Sequence, residues 1–202
     1  EKFVCIGTTC SYAANCPVPF KEIDFIEFNS NGPGMPELTN AGYGLSKRML
    51  YELLRNYNTQ YNFPFIYLIP VNMYGPYDNF DDNKSHVIPA IVKKIHQAKK
   101  INSPYVVLWG SGEATREFLY VEDCAEAILR ATLIYSDVRP MNIGNGKEIL
   151  IKDLAFKIRN LIGYKGNIIW DMSKPNGQMR RCMDISNMKR CLGDICNTSI
   201  DD

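Results

Sequence analysis

Apolar residues in this chain fall into two alternating rhythms. Continuous apolar runs at residues 2–7, 64–70, 106–109, 139–143 and 167–171 read as buried strands. Between them, apolar positions recur at helical spacing. Residues 43–61 place Leu45, Met49, Leu50, Leu53, Leu54 and Tyr57 on helical repeats, and residues 86–99 and 151–162 read the same way. Residues 118–121 read as short and extended, with a helix starting at Asp123 or its neighbour and running to Tyr135. Two stretches rich in Pro, Asn, Asp and Gly, 15–40 and 71–85, read as loops. Alternating strands and helices predict a parallel α/β sheet.

Composition narrows the picture. Twenty-three Lys and Arg face twenty-two Asp and Glu, and no basic stripe suggests nucleic acid as a partner. A local basic cluster could still hold a phosphate-bearing small molecule. No apolar run approaches the roughly 20 residues that span a bilayer, so no membrane partner is expected. The seven cysteines form no Cys-x-x-Cys pair, which speaks against a zinc site and for a reducing, cytoplasmic setting. No metal is expected.

One spacing carries chemistry. Tyr43 and Lys47 lie four residues apart, on one face of the 43–61 helix. An ammonium beside a phenol favours the phenolate, and such a tyrosine can exchange a proton with a sugar oxygen. A solvated helix face is the plain alternative. The turn Gly7-Thr8-Thr9-Cys10-Ser11-Tyr12 leaves the carboxyl end of the first strand, where open α/β sheets place ligands.

The chain resembles the extended short-chain dehydrogenase/reductases, and within them the GDP-L-fucose synthase branch. The resemblance rests on that turn, on Tyr43 with Lys47, on residues 70–80 (PVNMYGPYDNF) and on Ser85-His86-Val87-Ile88-Pro89-Ala90. It continues through Trp109-Gly110-Ser111-Gly112, residues 116–123 (REFLYVED) and Ser173-Lys174-Pro175-Asn176-Gly177. The stretch from Gly75 to Phe80 followed by Ser85–Pro89 is the part most particular to that branch.

The resemblance implies the C-terminal part of a Rossmann-type parallel sheet plus a small α/β substrate-binding domain. Residues 1–75 would belong to the nucleotide-binding domain and 76–202 mainly to the substrate-binding one, with 117–145 returning to the first. It implies a catalytic set of Thr8, Cys10, Tyr43, Lys47 and His86. Cys10 and His86 would move the epimerising protons. Tyr43 would protonate the alkoxide, tuned by Lys47, with Thr8 sharing the hydrogen bond where the family more often has serine. NADP(H) would lie against Ile6, Gly7, Thr8, Thr9, Tyr43, Lys47, Pro70, Val71, Asn72, Met73 and His86. A GDP-sugar would lie against Asn72, Val87, Lys94, Trp109, Arg116, Lys174 and Asn176, the last replacing a frequent aspartate. A homodimer is implied, with the 43–61 helix as a candidate surface.

Each residue has a plainer reading. Cys10 could be a small core residue and His86 a helix cap or a solvent-facing side chain. Trp109 could be buried in a core, and Arg116 could pair with Glu117 or Glu113. Asp123 reads as a helix N-cap rather than an acid. The family's glycine-rich cofactor turn does not occur here. Asn31-Gly32-Pro33-Gly34 lies in a loop, and Trp109–Gly112 lacks the spacing. Three βα units, roughly 100 residues, would therefore precede Glu1 in a longer parent. Residues 1–202 alone are expected to fold poorly and not to bind NADPH in calorimetry. The rival readings are another sugar-nucleotide epimerase or dehydratase, or a non-catalytic remnant.

Overall fold

The computed structural model describes residues 1–27, 34–82, 84–174 and 176–201. The expected turn at 31–33, Pro175 and Asp202 lie outside the described residues. The chain runs β1 (Phe3–Ile6), α1 (Glu22–Ile26), α2 (Ala41–Tyr61), β2 (Phe65–Pro70), β3 (Asn72–Tyr74), α3 (Val87–Lys100) and β4 (Tyr105–Trp109). It continues through β5 (Thr115–Tyr120), α4 (Val121–Ile134), β6 (Met141–Ile143), β7 (Glu148–Leu150), α5 (Ile151–Ile162), β8 (Asn167–Asp171) and α6 (Ser186–Leu192). Single 3-10 turns lie at Thr9–Ser11 and Leu38–Asn40.

The first sheet is parallel, in the order β1-β2-β6, with Phe3 opposite Phe65 and Leu68 opposite Met141. It is the Rossmann-type sheet the strand–helix alternation predicts. All six residues of β2 are buried, which is why that strand reads as an unbroken apolar run. Tyr51 and Leu54 of α2 and Ala127 and Ala131 of α4 bury against the same core. Each large aliphatic side chain fully buried there contributes about 1.5–3 kcal/mol.

A second core lies between α3, α5 and the parallel pair β4 and β8. Ile91, Ile95 and Ala98 of α3 and Leu154, Ala155 and Ile158 of α5 point into it at helical spacing. On β4 only Val106 and Leu108 turn inward, so Tyr105, Val107 and Trp109 face out. A third small sheet, β3-β5-β7, pairs β3 with β5 in parallel and β5 with β7 in antiparallel fashion.

The structure departs from the sequence reading in its shortest elements. The 15–40 stretch contains α1, the 71–85 stretch contains β3, and β7 and α6 had no periodic signal. The 118–121 segment belongs to β5, which begins at Thr115, and α4 starts at Val121. Asp123 is not the N-cap of α4, since Tyr120 holds that position in extended conformation. Asp123 instead accepts hydrogen bonds from the Thr198 amide at 2.9 Å and its hydroxyl at 2.7 Å, tying the C-terminal segment to α4.

Candidate active site

The turn after β1 and the first turns of α2 are locked together. The Thr8 hydroxyl accepts from the Cys10 amide at 3.2 Å, and the Ser11 hydroxyl donates to Gly44 O at 2.9 Å. The buried Arg48 guanidinium donates to the carbonyls of Ser11 and Gly34. Lys47 reaches back along the same face, and its Nζ donates to Ile6 O at 3.0 Å. The Tyr67 hydroxyl, from β2, donates to Lys47 O at 2.8 Å. Tyr43 stands one turn before Lys47 and is 52% exposed.

Two glycines permit this packing. A Cβ on Gly44 would lie 2.2 Å from Cys10 O, so only glycine lets α2 approach the turn. A Cβ on Gly7 would lie 2.4 Å from the Tyr67 ring, so Gly7 serves packing as well as the turn. Gly44→Ala is a sharp test of the first point. In a free helix the change stabilises by about 1 kcal/mol. Here overpacking against backbone should reverse the sign, for a net loss of about 1–2 kcal/mol in urea unfolding. A stabilised variant would show that α2 does not lean on the Cys10 turn.

Pro70 and Val71 are buried at the end of β2, and Asn72 and Met73 continue into β3, with Met73 exposed. His86 is exposed at the position before α3, without a side-chain cap. Val87 follows it, exposed, as the first helical residue. Among the described residues, His86 makes no hydrogen bond or ion pair to the turn that holds Cys10.

Cys10 is partly exposed rather than a core residue, and its sulfur faces a cation the sequence did not single out. Arg181 donates to Cys10 Sγ at 3.7 Å and to Glu37 Oε2 at 3.2 Å. Its Nε donates to Gln178 Oε1 at 3.2 Å, and Gln178 in turn donates to Ala14 O at 2.8 Å. The only sequence-level sign of Arg181 was the basic pair Arg180-Arg181 shortly after Lys174.

Arg116 lies beside this group. It donates to Thr115 O at 2.7 Å and to Asn176 O at 3.2 Å, and pairs with neither Glu113 nor Glu117. Burial pulls its guanidinium down to about 10, the nearby Arg181 charge adds to this, and Glu37 opposes both. The Asn176 side chain accepts from the Ser111 amide at 2.8 Å and the Ser111 hydroxyl at 3.2 Å. Two residues before Ser111, Trp109 is 64% exposed at the carboxyl end of β4, which excludes the core reading. Lys94 of α3 lies 5.0 Å and Lys174 5.6 Å from the Trp109 ring centre. Burial holds Lys94 below the ordinary lysine range, against the pull of Asp82 and Asp171.

A continuous track therefore runs from the Cys10 thiol through Arg181, Arg116, Asn176 and Ser111 to the exposed indole. It carries the cations a polyphosphate needs and an aromatic face for a ring. Two clefts of about 440 and 500 Å³ lie elsewhere, beside Arg139 and Asp184 and beside Gly146 and Arg180, and share none of the predicted residues. Among the described residues no cluster has the make-up of a metal site, and no helix is long and apolar enough to cross a membrane.

A family profile described as "NAD dependent epimerase/dehydratase family" matches residues 1–144. The chain belongs to this family. Within the NAD dependent epimerase/dehydratase family it is 38% identical, over 94% of its length, to a probable GDP-L-fucose synthase 1 of Oryza sativa subsp. japonica. It is 40% identical, over 91% of its length, to a GDP-L-fucose synthase of Sinorhizobium fredii. It spans only 56% of either relative, so the chain covers about half the length of the curated proteins it matches. A solved structure of a GDP-L-fucose synthetase from Naegleria fowleri bound to NADP superposes with a TM-score of 0.90 at 27% identity. That superposition covers 100% of this chain and 63% of the other.

Proposed function

We propose that the protein containing this chain converts GDP-4-keto-6-deoxy-D-mannose to GDP-L-fucose, using NADPH. The observation that carries this reading is the track from Cys10 to Trp109. It pairs a partly exposed thiol at one end with an aromatic platform at the other and cations between, the order of groups in a keto-sugar, a diphosphate and a purine. The relatives named GDP-L-fucose synthase support it.

Residues 1–75 are read as the C-terminal part of the nucleotide-binding domain. Residues 76–202 are read mainly as the substrate-binding domain, with 117–145 returning to the first. The residues at the ends of β1 and β2 fit the nicotinamide end of the cofactor. Tyr43 is open to a ligand, and Lys47 spends one of its three N–H donors on Ile6 O. When bound, NADPH supplies the hydride for ketone reduction.

The chain's own residues handle protons and binding. Cys10 accepts a proton from a carbon flanking the ketone, and the bonding electrons pass into an enolate. His86 returns a proton, inverting the centre. Tyr43 protonates the alkoxide, with Lys47 behind it and Thr8 beside it. Lys94, Lys174, Arg116 and Trp109 hold the GDP, and Asn176 orients Arg116 rather than contributing a charge. The four exposed side chains Leu45, Met49, Leu53 and Tyr57 form an i, i+4 stripe on α2 suited to pairing with a second copy. The seven free thiols suit a reducing cytoplasm.

The test is to incubate the full-length protein with the keto-sugar nucleotide and NADPH and identify the sugar by NMR. GDP-L-fucose supports the reading, and an unchanged sugar or a different epimer ends it. In the same assay Trp109→Ala should raise KM about tenfold with kcat nearly unchanged, since a stacked ring contributes uniform binding. An unaltered KM would remove Trp109 from the site.

A further inference from the structure

The ion pair beside Cys10 belongs to neither hydrophobic core, yet it is well enclosed. Arg181 and Glu37 have side chains only 11% and 22% exposed. All three kinds of guanidinium nitrogen are engaged: Nε on Gln178, one terminal nitrogen on the Cys10 sulfur and the other on Glu37. Gln178 fastens the segment to Ala14 O. Glu37 sits just before the Leu38–Asn40 turn that leads into α2, so its position is set by the helix bearing Tyr43 and Lys47. The guanidinium is thus held from two sides and aimed at a thiol 171 positions away in sequence.

We propose that Glu37 is a positioning residue, which holds Arg181 against the Cys10 sulfur so that this thiol can act as the proton-abstracting base. A guanidinium at hydrogen-bond distance stabilises a thiolate, whereas one released to solvent is screened and does so weakly. Glu37 does two opposing things. Its negative charge by itself works against a thiolate, and its grip on Arg181 works for one. The geometry favours the grip, because the carboxylate binds Arg181 directly and it is Arg181 that bonds to the sulfur. Among the described residues, the other titratable groups around this turn are Lys47 and Arg48 of α2, which bond to Ile6 O and Ser11 O, Tyr43 one turn before Lys47, and Tyr67 of β2, whose ring packs on Gly7; Arg116 of β5 lies near Arg181 and Glu37. In the reaction, the thiolate takes the proton from the substrate carbon, the C–H electron pair becomes the enolate, and Cys10 leaves the step as a neutral thiol.

This inference rests on the reading of Cys10 as the epimerising base, and its test is independent of turnover. In the full-length protein, iodoacetamide labelling of Cys10 would be followed against pH by peptide mass spectrometry. Cys191, the other partly exposed thiol of this chain, serves as internal reference. Arg181→Met is expected to slow Cys10 labelling at pH 7 about tenfold, the effect of moving the midpoint by about one pH unit. Arg181→Lys should restore part of that rate, since it keeps the charge without the fork. Glu37→Gln should slow Cys10 about threefold, in the same direction as Arg181→Met and by less.

A Cys10 rate that stays level or rises in Glu37→Gln overturns the proposal, because the carboxylate would then only neutralise charge. So does a rate indifferent to Arg181→Met. Changes shared by Cys10 and Cys191 signal general loosening and also count against it. Absence of GDP-L-fucose in the turnover assay sinks the proposed reaction instead, and leaves these labelling results to stand or fall alone.

Discussion

Glu117→Ala is expected to lower the unfolding free energy by about 2–3 kcal/mol, because it strands the buried Met183 amide and removes the acceptor of two part-buried amides, those of Asn145 and Gly146. Glu117 is 1% exposed and forms no ion pair among the described residues. Its Oε1 accepts from the amides of Asn145 at 2.8 Å and Gly146 at 2.7 Å, and its Oε2 from the amide of Met183 at 2.8 Å. The carboxylate thereby joins the loop after β6 to the loop that carries Arg181. Gly144 makes room for it, since a Cβ there would lie 2.2 Å from Oε1.

Burial pushes the Glu117 carboxyl above the ordinary range, and the three amide bonds and the Cys182 thiol only partly offset this. The sign follows. A folded state that binds the proton more tightly than the unfolded chain is most favoured at low pH. The carboxyl's contribution therefore falls as pH rises from the ordinary glutamate value through the raised one. The gap between parent and Glu117→Ala in urea midpoints should narrow over that window. A variant within 1 kcal/mol of the parent by the same measurement would show that water or relaxation satisfies the three amides, and that the carboxylate is not the pin it looks like.

How much of this was legible in the sequence depended on the range of the forces involved. The strands of the first sheet and the helices α2 and α5 were readable because burial imposes a local period on them. β3 and β7 are three residues each, too short to show a period, and exist because β5 offers them edges to pair with. Arg116 and Glu117 are neighbours in sequence, which suggested an ion pair. Alternation along β5 sends them to opposite faces, one toward Asn176 and the other into the loop amides. The outward Trp109 follows from the same alternation on β4. Motif matching singled out Thr8, Cys10, Tyr43, Lys47, Trp109 and Asn176 as candidates. It could not find Glu37 and Arg181 as a pair, because nothing local relates a residue before α2 to one after β8.

Tyr43→Phe is expected to cut ketone reduction by about 10²–10⁴-fold while leaving proton exchange at the flanking carbons intact. The groups concerned sit on separate elements. Tyr43 and Lys47 lie on one face of α2, with Lys47 pinned to Ile6 O at the end of β1. Cys10 lies on the turn after β1, against Gly44 and beside Arg181, and His86 stands just before α3. A phenol that only donates a proton to the alkoxide has no part in making the enolate, so removing its hydroxyl should stall the second half-reaction alone. In heavy water, Tyr43→Phe should still load deuterium into the keto-sugar while NADPH oxidation is lost. Cys10→Ser should do the reverse of this at the first step, because a serine hydroxyl barely ionises near neutral pH, and His86→Gln should allow exchange without completed inversion. If Tyr43→Phe consumed NADPH at the parent rate, the proton for the alkoxide would have to come from elsewhere, and Thr8, whose hydroxyl is already committed to the Cys10 amide as acceptor, still has its own proton to give.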